Sequence, residues 1–131
     1  MKLTTRSRYG ARLMLDLARH FDQGPVHLKD VANREGISVK YLEQLIIPLK
    51  KNGLVTSVQG PKGGHILARP PESISFAEII KSLETSASLV ECVDSPQSCS
   101  RSEECPTRDI WQQVKQAMYR ELENLTLADK M

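Results

Sequence analysis

Between Leu28 and Gly53 the chain is cut into two short apolar-periodic segments by Gly36-Ile37-Ser38, and this cut narrows the available folds more than any other feature. Leu28, Val31 and Ala32 recur at helical spacing and run into Gly36, a residue suited to the left-handed end of a helix. Ser38 then offers an N-cap for a further helix, with Tyr41, Leu42, Leu45, Ile46 and Leu49 on its inner face and Gly53 as its exit. Two helices joined by so short a Gly-containing turn form a helix-turn-helix corner, although helical bundles contain such corners too. Pro48 conflicts with the pattern: it deletes one intrahelical hydrogen bond and predicts a bent or shortened helix.

The flanking segments resolve the ambiguity. Tyr9, Leu13, Leu17 and Phe21 recur every four residues, the stripe of an amphipathic helix over 5–21 that Gly24-Pro25 ends. Arg8, Arg12 and Arg19 fall within roughly 40° of one another on that helix and form a basic ridge. After Gly53, Leu54-Val55-Thr56-Ser57-Val58 and His65-Ile66-Leu67-Ala68 are strand-like, separated by the turn chemistry of Gln59-Gly60-Pro61-Lys62-Gly63-Gly64. Three helices followed by a hairpin read as a winged helix-turn-helix, mainly α, with Lys62 at a glycine-rich tip able to approach a groove or a backbone. The tip lacks the Gly-x4-Gly-Lys-Ser/Thr spacing and the following helix that nucleotide binding requires.

Charge is distributed to match. Residues 1–69 hold 12 basic and 5 acidic side chains, a net of +7, whereas the remainder holds 6 and 11, a net of −5. A basic half is the footprint of a surface that meets phosphate, since neutralising phosphates releases condensed counterions. On the third helix Val39, Lys40, Glu43 and Gln44 are left outward near the N-terminus, with Lys50 and Lys51 at the far end. Gln reads adenine, Glu accepts from cytosine N4 and Lys supplies phosphate contact; the same residues also make an ordinary solvated face.

Pro70-Pro71 opens the acidic half, and Ser75-Phe76-Ala77-Glu78 is a capping-box sequence for a helix with Phe76, Ile79, Ile80 and Leu83 inward. Residues 85–104 are polar, Ser-rich and without sustained period, which predicts a mobile loop. Pro106 suits the first position of a long helix bearing Ile110, Trp111, Val114, Ala117, Met118, Leu122 and Leu125, a stripe that calls for a partner. Pairing with the same helix of a second copy gives the two-fold symmetry that a palindromic DNA site demands. The expected organisation is therefore a DNA-binding unit with its packing helix over 1–84, a cysteine-bearing loop over 85–105, and a dimerisation helix and tail over 106–131.

The three cysteines, Cys92, Cys99 and Cys105, fall in that loop or at its edge. The Cys-x6-Cys-x5-Cys spacing is not that of a zinc finger, and an odd count argues against a disulfide framework. Thiolates suit iron-sulfur clusters, zinc and Cu(I), so the reading lies between a metal or cluster site and three unrelated thiols. A cluster needs a fourth ligand, for which Glu103, Glu104 and Asp109 nearby, or His27 and His65 from elsewhere, carry suitable atoms. No secretory signal or membrane-length apolar run is present, which points to a cytoplasmic protein with no membrane partner. No Ser/His/Asp, paired-carboxylate or phosphate-loop constellation appears, so an enzyme is not expected.

Taken together, Met1-Lys2-Leu3-Thr4 with Arg8-Tyr9, Ile37-Ser38 with Tyr41-Leu42-Glu43-Gln44-Leu45, Lys51-Asn52-Gly53-Leu54-Val55, Gly60-Pro61-Lys62-Gly63-Gly64 and the three cysteines before a Trp-bearing helix resemble the IscR-type iron-sulfur cluster regulators of the Rrf-two superfamily. The resemblance implies a homodimer on double-stranded operator DNA, contacting it through a set comprising Arg8, Ser38, Lys40, Tyr41, Glu43, Gln44, Gln59, Lys62, Gly63 and Gly64. It also implies a 2Fe-2S cluster on Cys92, Cys99 and Cys105 that alters promoter choice with iron-sulfur supply or oxidative and nitrosative stress, and iron-sulfur assembly proteins as cluster donors. Glu43 matches a position that discriminates between classes of site in the IscR-type pattern. Three positions depart from it. Arg108 stands where the pattern has a ligand His and has no lone pair to donate. Arg8 stands where the nitric-oxide-sensing branch has an Asp, and Gln59 replaces a frequent wing Arg while Ile47-Pro48 replaces a polar or basic stretch. The fourth ligand is therefore left open among Asp109, Glu104 and His65. A cluster-free regulator controlled by thiol oxidation, a small metabolite or a partner protein is the alternative. A cluster scaffold or electron carrier would leave the basic winged helix unexplained.

Overall fold

The computed structural model describes residues 2–86 and 88–131. Three helices come first: α1 (Thr5–Arg19), α2 (Leu28–Glu35) and α3 (Val39–Lys51). The Thr4 side chain caps α1, and the Ser38 side chain accepts from the Tyr41 amide at 3.1 Å to cap α3. Gly36 closes α2 at φ 66°, a left-handed conformation that a side chain would strain. The helix-turn-helix corner is thus built by local chemistry. Pro48 does not shorten α3, which runs through it to Lys51. It sits one turn from the helix end, and the carbonyl it orphans belongs to Gln44, an exposed residue whose C=O can turn to water.

β1 (Val55–Val58) and β2 (Gly64–Leu67) pair antiparallel, with Val55 opposite Leu67 and Val58 opposite Gly64. Val26, in the loop between α1 and α2, adds one further rung by exchanging two hydrogen bonds with His65, at 2.9 and 2.8 Å. The wing is therefore stitched to the chain that leads into α2. A 3₁₀ turn (Pro71–Ser73) precedes α4 (Phe76–Leu83), whose N-terminus carries the complete Ser75/Glu78 capping box. On α4 it is Ala77, with Ile79, Ile80 and Leu83, that is buried, while Phe76 is half-buried.

The segment expected to lack regular structure contains a one-turn α5 (Glu91–Asp94) and a 3₁₀ turn (Pro96–Ser98). α6 (Pro106–Glu123) follows, with Pro106 at its start. A last 3₁₀ turn (Leu127–Lys130) returns to the first half, where Leu127 is fully buried and its amide donates to the Ile74 carbonyl at 3.1 Å. The tail thus packs into the main core. That core unites Leu13, Met14 and Leu17 of α1 with Val31, Leu42, Leu45, Leu49, Leu54, Ile79 and Leu127. Beneath it lies one polar link: Asp16, 3% exposed, accepts two hydrogen bonds from the Arg34 guanidinium at 2.8 and 2.9 Å and so fastens α1 to α2. No helix among the described residues is long and apolar enough to cross a membrane.

Candidate nucleic-acid interface and cysteine loop

Capping fixes the start of α3, and the inward leucines fix its rotation, so Lys40, Glu43 and Gln44 are held on its exposed side. Ser38 is exposed, but its hydroxyl oxygen already accepts from Tyr41. Tyr41 is half-buried and meets Tyr9 of α1 edge to face, with ring centroids 5.9 Å apart at 83°. The Arg12 guanidinium lies over the Tyr9 ring, 5.4 Å from its centroid. Its Nε donates to the Glu35 carboxylate at 3.1 Å and its Nη2 to the Glu35 carbonyl. Arg8 is exposed on the same helix. Tyr9 and Arg12 therefore adjoin the candidate surface, although the contact set expected from the sequence does not include them. The basic ridge on α1 had already marked Arg12, and Tyr9 was absorbed into the apolar stripe.

At the wing, Gln59 and Lys62 are exposed. Gly63 is buried, and a Cβ there would lie 2.0 Å from the Val58 carbonyl oxygen; at Gly64 it would lie 2.5 Å from that of Val26. These glycines are required for the tip to fold onto its own strand and onto the α1–α2 loop, which leaves Lys62 as the outward cation. The candidate DNA-contacting residues thus divide between the α3 face, the neighbouring end of α1 and the wing.

The cysteines occupy different environments. Cys92 lies half-buried in α5, Cys99 is exposed, and Cys105 is the residue preceding α6. The Cys105 sulfur is 3.0 Å from the Thr107 hydroxyl, which with the Arg108 and Thr107 amides and the charge of Arg101 pulls its thiol below the usual range. Arg108 does not act as a lone-pair donor; its Nε donates to the Cys92 carbonyl at 3.0 Å and ties the two ends of the cysteine segment together. A second tie joins Lys115 of α6 to Asp94 at 2.5 Å, and with a hydrogen bond from the Ser86 hydroxyl it lowers the Asp94 carboxyl to about 2.

Among the proposed fourth ligands, Asp109 accepts from Gln113 at 2.8 Å, Glu104 is exposed, and His65 lies in β2, its Nδ1 3.3 Å from the Ser57 hydroxyl. Among the described residues no three Cys, His, Asp or Glu side chains converge within reach of one metal ion. The donor chemistry of three thiols on one tethered segment suits an iron-sulfur cluster, and binding one requires the segment to close.

α6 carries the remaining unpartnered feature. None of its residues is fully buried, and Ile110 and Val114, 49% and 42% exposed, stand one turn apart on the same face as Ala117.

A family model described as "Rrf2: Iron-dependent Transcriptional regulator" matches residues 3–131. Protein rrf2 of Nitratidesulfovibrio vulgaris (strain Hildenborough) is 50% identical over 131 residues, covering 100% of this chain and 87% of that protein. The structure of T. potens IscR superposes with a TM-score of 0.81 at 42% identity, covering 99% of this chain and 85% of that one. The structure of CymR (YrzC), titled the global cysteine regulator of B. subtilis, gives 0.83 at 36% identity, covering 98% and 95%. The fold is the winged helix-turn-helix with a long C-terminal helix expected from the sequence, and its kin are transcription regulators, not enzymes. The chain belongs to the Rrf2 family of DNA-binding transcriptional regulators.

Proposed function

We propose that this protein is a homodimeric transcription regulator whose choice of promoter is set by a 2Fe-2S cluster held by Cys92, Cys99 and Cys105. The observation that carries the reading is the tethering of the cysteine segment. Arg108 and Lys115, both on α6, hold its first half through Cys92 and Asp94, while Cys105 sits at the start of α6 itself. A change in the thiols is thereby transmitted to the long helix, whose outward Ile110, Val114 and Ala117 are positioned for the same helix of a second copy. When bound, the cluster supplies a labile, redox-active group; the protein supplies three thiolates, one of them already acidified at Cys105. Arg108 cannot complete the ligand set, so Asp109, Glu104 or an outside donor must. The description of the family as iron-dependent accords with this. The DNA side rests on Lys40, Glu43 and Gln44 entering the major groove, with Arg8 and Lys62 on phosphates.

The acidified, partly accessible Cys105 also favours a second reading, in which thiol oxidation acts without a cluster. Absorption spectra with iron and sulfide assays on protein purified without oxygen separate the two. About two irons and two sulfides per chain, lost in Cys92→Ala, Cys99→Ala and Cys105→Ala with the fold intact, establish the cluster, and Asp109→Ala tests the fourth ligand. Colourless, iron-free protein that cannot be reconstituted yet binds DNA only when reduced establishes the thiol switch.

A further inference from the structure

Between the end of α1, the loop that follows it and the wing sheet lies a cavity of about 390 Å³, within the range of small-molecule sites. Leu17 and Phe21 form one wall, Val26 another, and Val58 and Ile66 of the wing a third, so the interior is mainly apolar. His20 and His65 bring the polar atoms. The His20 Nδ1 lies 2.7 Å from the Asp16 carbonyl oxygen and 3.5 Å from the Asp16 carboxylate, both of which can only accept. In the neutral ring Nδ1 therefore carries the proton, and Nε2, without a hydrogen-bond partner among the described residues, keeps a lone pair. His65 is held by Ser57, and burial with the nearby charge of Lys50 pushes its pKa below the usual imidazole range. Exposed Asp22 also lines the cavity, so charges of both signs, Asp22 and Lys50, stand near it.

We propose that this cavity is a binding site for a small, uncharged aromatic molecule bearing one N–H or O–H donor, of the size and chemistry of indole or a phenol. The ring lies against Phe21 and the aliphatic walls, where edge or offset contact is favourable. Its donor meets the lone pair on His20. The charged state of a ligand decides its entry: a carboxylate and an ammonium alike lose their hydration on entering an apolar interior. Neither the cysteine segment nor α6 lines this cavity. The site is thus separate from the proposed cluster and stands whether or not that reading holds.

Besides the end of α1, its walls are two elements beside α3: the wing, and the loop that leads into α2, joined to each other by the Val26–His65 rung. A ligand between them can change DNA affinity by favouring one setting of the wing, and this consequence rests on the DNA-binding reading.

The test is a ¹H–¹⁵N NMR titration of the full chain at pH 8 with indole, phenol, indole-3-carboxylate and benzylamine, followed by duplex-DNA binding with and without indole. Indole and phenol are expected to give saturable shifts confined to residues around His20, Phe21, Val58 and Ile66, with the two charged probes at least tenfold weaker. His20→Phe, which keeps the ring and removes the acceptor, is expected to weaken indole about fivefold, the ratio corresponding to one hydrogen bond. Val58→Trp, at a position 37% exposed, fills the mouth and is expected to abolish the shifts while the rest of the spectrum stays native. Absence of saturable shifts, equal binding of indole-3-carboxylate, or undiminished indole binding by a folded His20→Phe overturns the site as described. Saturable indole binding with unchanged duplex affinity leaves the site standing and removes its coupling to the wing. Failure of the protein to bind duplex with or without indole instead removes the DNA reading and leaves the site intact.

Discussion

Replacing Arg34 by Met keeps most of the side chain's length and leaves the buried Asp16 carboxylate with the His20 imidazole, 3.5 Å away, in place of a permanent cation. Asp16 is 3% exposed and takes both of its charge-assisted hydrogen bonds with Arg34, while Arg34 itself is 39% exposed. Removing one partner of a fully buried pair costs about 3–5 kcal/mol. Because the Arg34 side reaches water and His20 stays beside Asp16, the lower end applies, and the expected loss is about 3 kcal/mol. With an unfolding entropy of about 2.1 cal/mol/K per residue, that lowers the Tm of a chain of this length by about 11 °C. The diagnostic step is a second change. Asp16→Asn added to Arg34→Met replaces an unpaired buried carboxylate by a neutral amide, which is far cheaper to bury, so the double variant is expected to be more stable than Arg34→Met alone. Calorimetry and urea unfolding of the three proteins give the comparison. A loss below about 1 kcal/mol for Arg34→Met, or a double variant less stable than the single, refutes the idea that a desolvated carboxylate fastens α1 to α2.

Lys62→Ala is expected to weaken duplex binding for every sequence and to flatten the dependence of log K on log salt by about 0.9 for each phosphate no longer neutralised; an unchanged slope removes the wing tip from the interface. Ser75→Ala removes half of the capping box and is expected to cost about 1 kcal/mol in thermal or urea unfolding. The Asp94 carboxyl sits at about 2, below its ordinary 3.8, so its ionised form stabilises the fold above about pH 4 and that contribution drains away as pH falls toward 2. The stability gap between the parent and Lys115→Met is therefore expected to be full at pH 5 and small at pH 2, as read by Tm. Val114→Glu places a charge in the exposed stripe of α6 and is expected to shift sedimentation from dimer to monomer without unfolding the winged helix.

What the sequence disclosed was mostly what neighbours in the chain decide. The caps at Ser38 and Ser75, the stop at Gly36 and the alternation of strand and glycine around Lys62 are local, and each is found where its chemistry put it. Residues 85–104 were opaque because their order comes from ties across 16 and 21 residues, Arg108 to Cys92 and Lys115 to Asp94, which leave no periodicity. Leu127 was missed for the same reason: its burial depends on Ile74, far away in sequence. Pro48 misled in the other direction, since the cost of a proline depends on whether the orphaned carbonyl is buried. At the candidate interface, charge was visible and contact was not; nothing in the linear pattern says that Tyr9 rests on Tyr41 or that Glu35 grips Arg12.

The lack of any fully buried residue on α6 has a thermodynamic consequence. A helix whose own protomer covers it so thinly draws its rigidity from whatever covers the other side. The cysteine segment hangs from that helix at two points, so covering the helix also restricts the thiols. If α6 pairs with a second copy and the thiols hold a ligand, as proposed, linkage makes the effect mutual: a ligand that draws the thiols together must tighten the helix's hold on its partner by the same free energy with which the partner favours that ligand. On that reading dilution and ligand loss are two routes to one loosened state, and the concentration of the protein becomes a variable in what the cysteines sense.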